Sequence, residues 1–283
     1  MSLKLLAVDL DGTLLDTAGR PHERDLRALR LAIDAGVTVT IVTGRLYSGT
    51  RPSAQALGLR GPVACADGSH LVRAHDHETL LHHGIRGTAA AAVRASLVEH
   101  GAAGFLFVRE RIIHDAGGDP FVDYVRLWSS DIQRIMDLGS HESWDDVGDA
   151  DGVTAVVAVG TSEQIAKTCE GMRLGAGDAA QVVSFPIRRV EGMWGLVARG
   201  AGGTKGSALH WIADHHGIAR DETACVGDWL NDIPMLKVAG RSFAMGQAPD
   251  EVKKHASGVL AETSETGGGI ARVVEEAFGV RVP

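Results

Sequence analysis

The sequence predicts an α/β fold, a Rossmann-like parallel sheet core with helices on both faces, plus an inserted α+β domain. Three observations carry this. Leu5–Val8 is a continuous apolar run, the mark of a strand buried on both faces of a parallel sheet. Short β-rich runs alternate with helical patterns in the first ninety residues and again after about residue 190. Between the two stretches that rhythm is lost.

The elements follow in order. After Leu5–Val8, Leu26, Leu29 and Ile33 recur at helical spacing, and Gly36 stops that helix. Val37–Val42 reads as a second strand ending at Thr43-Gly44-Arg45, and Val63–Ala66 as a third, closed by Asp67-Gly68. Strand, helix, strand at this spacing predicts βαβ units with right-handed crossovers. Residues 81–189 carry longer connections, strands at Phe105–Val108, Val153–Val159 and Gln181–Ile187, and a helix at Ser162–Met172. They are expected to form a separate α+β insert, with residues 1–80 and 190–283 as the core. In the returning core, Lys205–His216 predicts a helix, Thr223–Val226 a strand and Asn231–Val238 a helix. Strands at Ser242–Met245 and Gly258–Leu260 and a helix after Gly269 complete it.

Composition removes several classes of function. The chain has 283 residues, 45% hydrophobic and 23% charged, which is ordinary globular composition. Its net charge of −8 argues against a nucleic-acid partner held by phosphate neutralisation. Cys65, Cys169 and Cys225 are far apart with no CxxC pairing, which fits a reducing compartment. No apolar run approaches the ~18 residues of a membrane span. Met1–Val8 is too short for the apolar region of a signal peptide. The expected location is the cytoplasm.

Residues suited to chemistry stand at the ends of the core strands. Asp9-Leu10-Asp11-Gly12-Thr13 directly follows the first strand, at the sheet edge where ligands of open α/β sheets bind. The two carboxylates suit a nucleophile beside a general acid/base, or hard oxygen ligands for Mg²⁺; alternatively, the segment is an Asp–Gly turn that ends a strand. Thr43 and the Gly44 amide suit a phosphate oxygen; alternatively, Thr-Gly after a strand is common loop chemistry. Lys205, at a predicted helix N-terminus, adds a cation to amides that favour an anion; taken in isolation, it reads as a solvated surface lysine. In Gly227-Asp228-Trp229-Leu230-Asn231-Asp232, Asp228 can bind a cation, while Asn231 and Asp232 can reach phosphate or orient the lysine. Helix capping is the alternative for that segment.

Taken together in the order Asp9, Thr43, Lys205, Asp228, these segments resemble the four motifs of the haloacid dehalogenase superfamily of phosphohydrolases. The resemblance covers about residues 3–80 and 190–283. It implies that Asp9 attacks phosphorus and Asp11 is the general acid/base. It also implies Mg²⁺ held by the Asp9 side chain, the Asp11 backbone carbonyl and Asp228. Thr43 and Lys205 would bind the phosphoryl group, joined by amides around Leu10 and Gly44 and by Asn231, with Asp232 in support. The long gap between Thr43 and Lys205 has room for a full cap domain. That position, the compact fourth motif and Ala244-Met245-Gly246-Gln247-Ala248 resemble the Cof-type, class IIB branch.

The implied function is a Mg²⁺-dependent phosphatase of small phosphorylated metabolites, sugar phosphates first, acting through an aspartyl-phosphate. The alternatives are a phosphomutase using the same intermediate and, in another class, a non-catalytic phospho-acceptor or metabolite binder. The chain departs from the branch at Trp229, where Gly is usual, at Leu196–Ala198, where an acid is common, and at Asp67-Gly68, usually Asn-Gly. Arg188, Arg189 and Trp194 are further candidates for substrate contact. The paired histidines, Cys225 and Gly267–Gly269 read as solvated, buried and turn residues rather than as metal ligands, a nucleophile or a nucleotide cradle.

Overall fold

The computed structural model describes residues 2–145, 152–187 and 191–283. The chain divides into two compact units: Met1–Gly44, Thr50–Leu80 and Thr204–Pro283 form one, Arg45–Gly49 and Leu81–Gly203 the other. In the first unit, β1 (Leu5–Val8) is buried along its whole length, as its apolar run requires. Helix α1 (Glu23–Asp34) follows, with Glu23 and Asp25 in its first turn, where the positive end of the helix dipole favours acids. Next come β2 (Thr38–Ile41), α2 (Tyr47–Ala56) and β3 (Pro62–Cys65). Strand β3 turns back through Ala66–Gly68 into β4 (His70–Arg73), and β5 (Thr79–His82) completes a three-stranded sheet. The Thr43 N–H donates to the Ala64 carbonyl at 2.9 Å, which seats the end of β3 beside the loop after β2.

The second unit has its own core. Helix α3 (Gly87–His100) leads into β6 (Ala103–Val108), β7 (Arg111–His114), the short α4 (Val122–Val125) and β8 (Asp131–Arg134). Then come β9 (Val153–Thr161), α5 (Ser162–Ala176), β10 (Ala180–Pro186) and β11 (Met193–Gly200). The six strands form one sheet in the order β10-β11-β9-β6-β7-β8. Val93 and Leu97 of α3 and Ile165, Cys169 and Met172 of α5 bury against Leu106, Val156 and Leu196 of the strands. The predicted α+β insert is thus present, but the return to the first unit falls at Thr204 rather than at residue 190. The cause is β11, which pairs antiparallel with both β9 and β10. Trp194 packs against this unit's core, and Arg188 and Arg189 lie outside the described residues.

The first unit resumes with α6 (Lys205–His215), β12 (Thr223–Gly227), α7 (Ile233–Val238), β13 (Arg241–Ala244), α8 (Asp250–Lys253), β14 (Gly258–Val259) and α9 (Gly269–Phe278). Its main sheet runs β14-β13-β12-β1-β2, with every pairing parallel. Buried Asp25 of α1 accepts the N–H groups of Gly268 and Ala271 at 2.8 Å each. A carboxylate from one helix thereby satisfies donors at the start of another, which packs α1 against α9.

Candidate active site

The sheet order reverses between β1 and its neighbour β12, because the chain leaves β1 toward β2 and leaves β12 toward β13. Crevices at the carboxyl ends of strands at such a switch point are where open α/β sheets bind ligands. Asp9 follows β1 and Asp228 follows β12, and Val8 and Val226 are register partners just before them.

Lys205 is the hub. Its side chain is 1% exposed, and Nζ donates to Asp9 Oδ1 and Asp232 Oδ1 at 2.6 Å each. It is the first residue of α6, whose N-terminus is closed by a reciprocal Thr204–Ser207 capping box. Asp232 uses its second oxygen to accept the N–H groups of Asp228 (2.8 Å) and Trp229 (2.9 Å), which fixes the backbone that carries Asp228. Gly227 is needed for this, since a Cβ there would stand 2.5 Å from the Asp232 Cγ.

Asp228 accepts from Thr13 Oγ1 at 3.3 Å and from Gln247 Nε2 at 3.4 Å, and Gln247 also donates to the Gly12 carbonyl. Gly12 has φ +83°, and a Cβ there would lie 2.4 Å from Asp228 Oδ2, so only glycine lets the loops after β1 and β12 approach this closely. Thr43 is fully buried, and its carbonyl accepts the Asp67 N–H at 2.9 Å. Asn231 Nδ2 donates to Asp67 Oδ1 at 2.7 Å. Leu10 is buried and Asp11 exposed, on the turn that follows Asp9.

Oxygens of Asp9, Asp228 and Asp232 all lie within 4.8 Å of one another, and all three residues are buried. Burial pushes the Asp9 carboxyl well up, with Asp232 and Asp228 adding to it and Lys205 opposing. Burial, then Asp232, push Asp228 up to about 7 against the opposing influence of Lys205, Thr13 and Gln247. Burial acts to push Lys205 down, but Asp232, Asp9 and Asp67 outweigh it and hold the ammonium protonated. One ammonium beside three carboxylates leaves an excess of negative charge on hard oxygen donors. That donor set fits a small divalent cation such as Mg²⁺.

The structure therefore gathers Asp9, Lys205, Asp228 and Asp232 directly, and joins Asn231 to the Thr43–Gly44 loop through Asp67. Thr13, Asp67 and Gln247 join the site without being among the candidates the sequence marks. Thr13 and Gln247 lie inside the segments Asp9–Thr13 and Ala244–Ala248, and Asp67 stands out in the sequence only as a departure at a strand end. Trp229 is 41% exposed. Cys225 is fully buried, and burial pushes its thiol well up, as for an unreactive core residue.

A sequence profile of the haloacid dehalogenase-like hydrolases matches residues 6–274. The chain belongs to this family. As a haloacid dehalogenase-like hydrolase it is similar to the pyridoxal phosphate phosphatase YbhA of Escherichia coli, 28% identical over 93% of this chain and 95% of the relative. It is also similar to the 5-amino-6-(5-phospho-D-ribitylamino)uracil phosphatase YitU of Bacillus subtilis, 27% identical over 98% of each chain. Among solved structures, a subclass IIB sugar phosphatase of the superfamily shares the fold, with a TM-score of 0.78 at 22% identity over 98% of this chain and 100% of that one. The resemblance of the four sequence motifs to the haloacid dehalogenase superfamily agrees with the profile match. Among the described residues, no helix is long and apolar enough to cross a membrane.

Proposed function

We propose that this hydrolase is a Mg²⁺-dependent phosphatase of small phosphorylated metabolites, working in the cytoplasm through an aspartyl-phosphate on Asp9. The observation that carries the reading is the buried Asp9–Lys205–Asp232 chain beside Asp228 at the switch point of the sheet. Asp9 is braced by Lys205, so its carboxylate is oriented before substrate arrives. A carboxylate oxygen of Asp9 attacks phosphorus, the ester P–O bond breaks, and Asp11 gives its proton to the departing alkoxide. Water then attacks the phosphoryl group while Asp11 takes a proton from it, and the bond to Asp9 breaks to release inorganic phosphate. Two easier steps replace one hard one.

Lys205, the Thr43 hydroxyl, Asn231 and the amides around Leu10 and Gly44 take up the negative charge of the phosphoryl oxygens. The side chains of Asp9 and Asp228 and the Asp11 carbonyl would hold Mg²⁺, which when bound supplies further charge neutralisation to the phosphoryl group. Asp232 is left to its bonds with Lys205 and the loop amides. The unit containing 81–203 is read as the cap domain that selects the leaving group.

Relatives named as phosphatases of pyridoxal phosphate and of a ribitylaminouracil phosphate support a small phosphorylated substrate, and sugar phosphates belong in the same panel. Phosphate release over such a panel tests the reading. Inorganic phosphate should appear only with a divalent cation present, and with no isomerised sugar phosphate. Full activity after metal stripping in excess EDTA would contradict it, as would an isomerised product without free phosphate.

A further inference from the structure

Ala66, Asp67 and Gly68, at the turn between β3 and β4, all have positive φ, at 48°, 53° and 94°. Residues with a Cβ disfavour this left-handed region, and two in succession before a glycine mark a backbone held there by its surroundings. Gly68 is demanded by space, since a Cβ would stand 2.3 Å from the Thr204 carbonyl oxygen, one residue before Lys205. Asp67 is not explained that way. It is 4% exposed, and its contacts run to two other loops of the site. Its N–H donates to the Thr43 carbonyl at 2.9 Å, and Oδ1 accepts from Asn231 Nδ2 at 2.7 Å. The same oxygen lies 3.2 Å from where a Cβ on Gly44 would be.

We propose that Asp67 is a positioning residue for phosphoryl binding: it holds one N–H of the Asn231 carboxamide and so aims the other at the phosphoryl oxygens. A carboxylate oxygen only accepts, so Asn231 must present its amino edge to Asp67. That fixes the plane and flip of a carboxamide otherwise free to turn about its last torsion. The strained turn is the means by which a carboxylate from the end of β3 reaches the loop after β12. The inference rests on reading Asn231 as a phosphoryl contact in the proposed phosphatase.

The test uses the full chain with Mg²⁺ and three readouts: p-nitrophenyl phosphate turnover, calorimetric binding of inorganic phosphate, and the Asn231 side-chain amide signals by NMR. Asp67→Gly removes the acceptor and relieves the backbone. It should melt no lower than the parent, weaken phosphate binding and kcat/KM by about tenfold, the scale of one lost hydrogen bond, and displace the Asn231 signals. Asp67→Asn keeps an acceptor oxygen and should recover both quantities to within about threefold. Asn231→Ala combined with Asp67→Gly should be no worse than Asn231→Ala alone.

Phosphate affinity in Asp67→Gly equal to the parent's would overturn the proposal. So would an Asp67→Asn variant as impaired as Asp67→Gly, or fully additive losses in the double variant. If Asp67→Gly melts below the parent, Asp67→Asn decides: unmoved Asn231 signals with near-parent phosphate affinity support the proposal, and tenfold weaker binding refutes it. Absence of turnover in the parent would sink the phosphatase reading, while phosphate binding and the Asn231 signals would still decide the role of Asp67.

Discussion

Lys205 stands between two buried carboxylates with almost no water to share the charge. Replacing it by Met would leave Asp9 and Asp232 facing each other uncompensated. Breaking a buried ion pair from one side typically costs about 3–5 kcal/mol, so Lys205→Met should lower stability by that amount in urea unfolding at neutral pH, besides abolishing turnover. Asp228 offers a pH signature. It is an acid pushed up to about 7, so below that pH the folded protein holds a proton that a bound cation must displace. Apparent Mg²⁺ affinity, followed calorimetrically, should fall as the pH drops through about 7; an affinity that does not change across that range would contradict this. At this scale the sequence was most legible for chemically distinctive residues at element ends, Asp9, Thr43 and Asp228 after strands and Lys205 at the start of α6. Asp67 was not legible as a partner of Asn231, because that contact depends on a left-handed turn bringing together residues far apart in the chain.

Among elements, α6 matters most to the site, because its first residue is Lys205. Its capping box pins that residue: Thr204 Oγ1 accepts the Ser207 N–H at 3.0 Å, and the Ser207 hydroxyl accepts the Thr204 N–H at 3.0 Å. Thr204→Ala should cost about 1 kcal/mol of stability, read from the shift in urea midpoint at unchanged slope. Strands with continuous apolar runs, β1 and β12, were readable because burial on both faces leaves no polar alternation. The hairpin partners β4 and β5 were not, since His70–Arg73 and Thr79–His82 are short, mixed in polarity and defined by their pairing. The seam expected at residue 190 put the residues of β11 with the core for a related reason. Leu196–Ala198 lies just upstream of the Lys205 helix and looks like the strand of a βα unit, but an apolar run does not state which sheet it joins. Its pairing with β9 and β10 decides that, and carries the boundary to Thr204.

For the molecule as a whole, the two units keep separate cores, and all the candidate metal and phosphoryl residues lie in one of them. Ligand bound only by the folded form stabilises what it touches. Saturating Mg²⁺ should therefore slow amide hydrogen exchange around residues 9–13, 205–209 and 226–232, and leave α3, α5 and β9 essentially unchanged. Equal protection of both units would count against the assigned site. The division into a βα core and an α+β insert was legible from the change of rhythm along the chain, whereas its exact seam required the strand pairings. If Asp9 carries the phosphoryl group and Asp11 moves the protons, intact-protein mass spectrometry after rapid quenching will catch the intermediate. With an aryl phosphate, whose leaving group needs little acid help, Asp11→Asn should slow hydrolysis of the intermediate by roughly 10² to 10⁴ and accumulate protein carrying one added phosphoryl group on Asp9. Asp9→Asn should show no such species at any time and no turnover. Near-parent turnover by Asp9→Asn, or a phosphoryl group mapped to any other residue, would contradict these roles of Asp9 and Asp11.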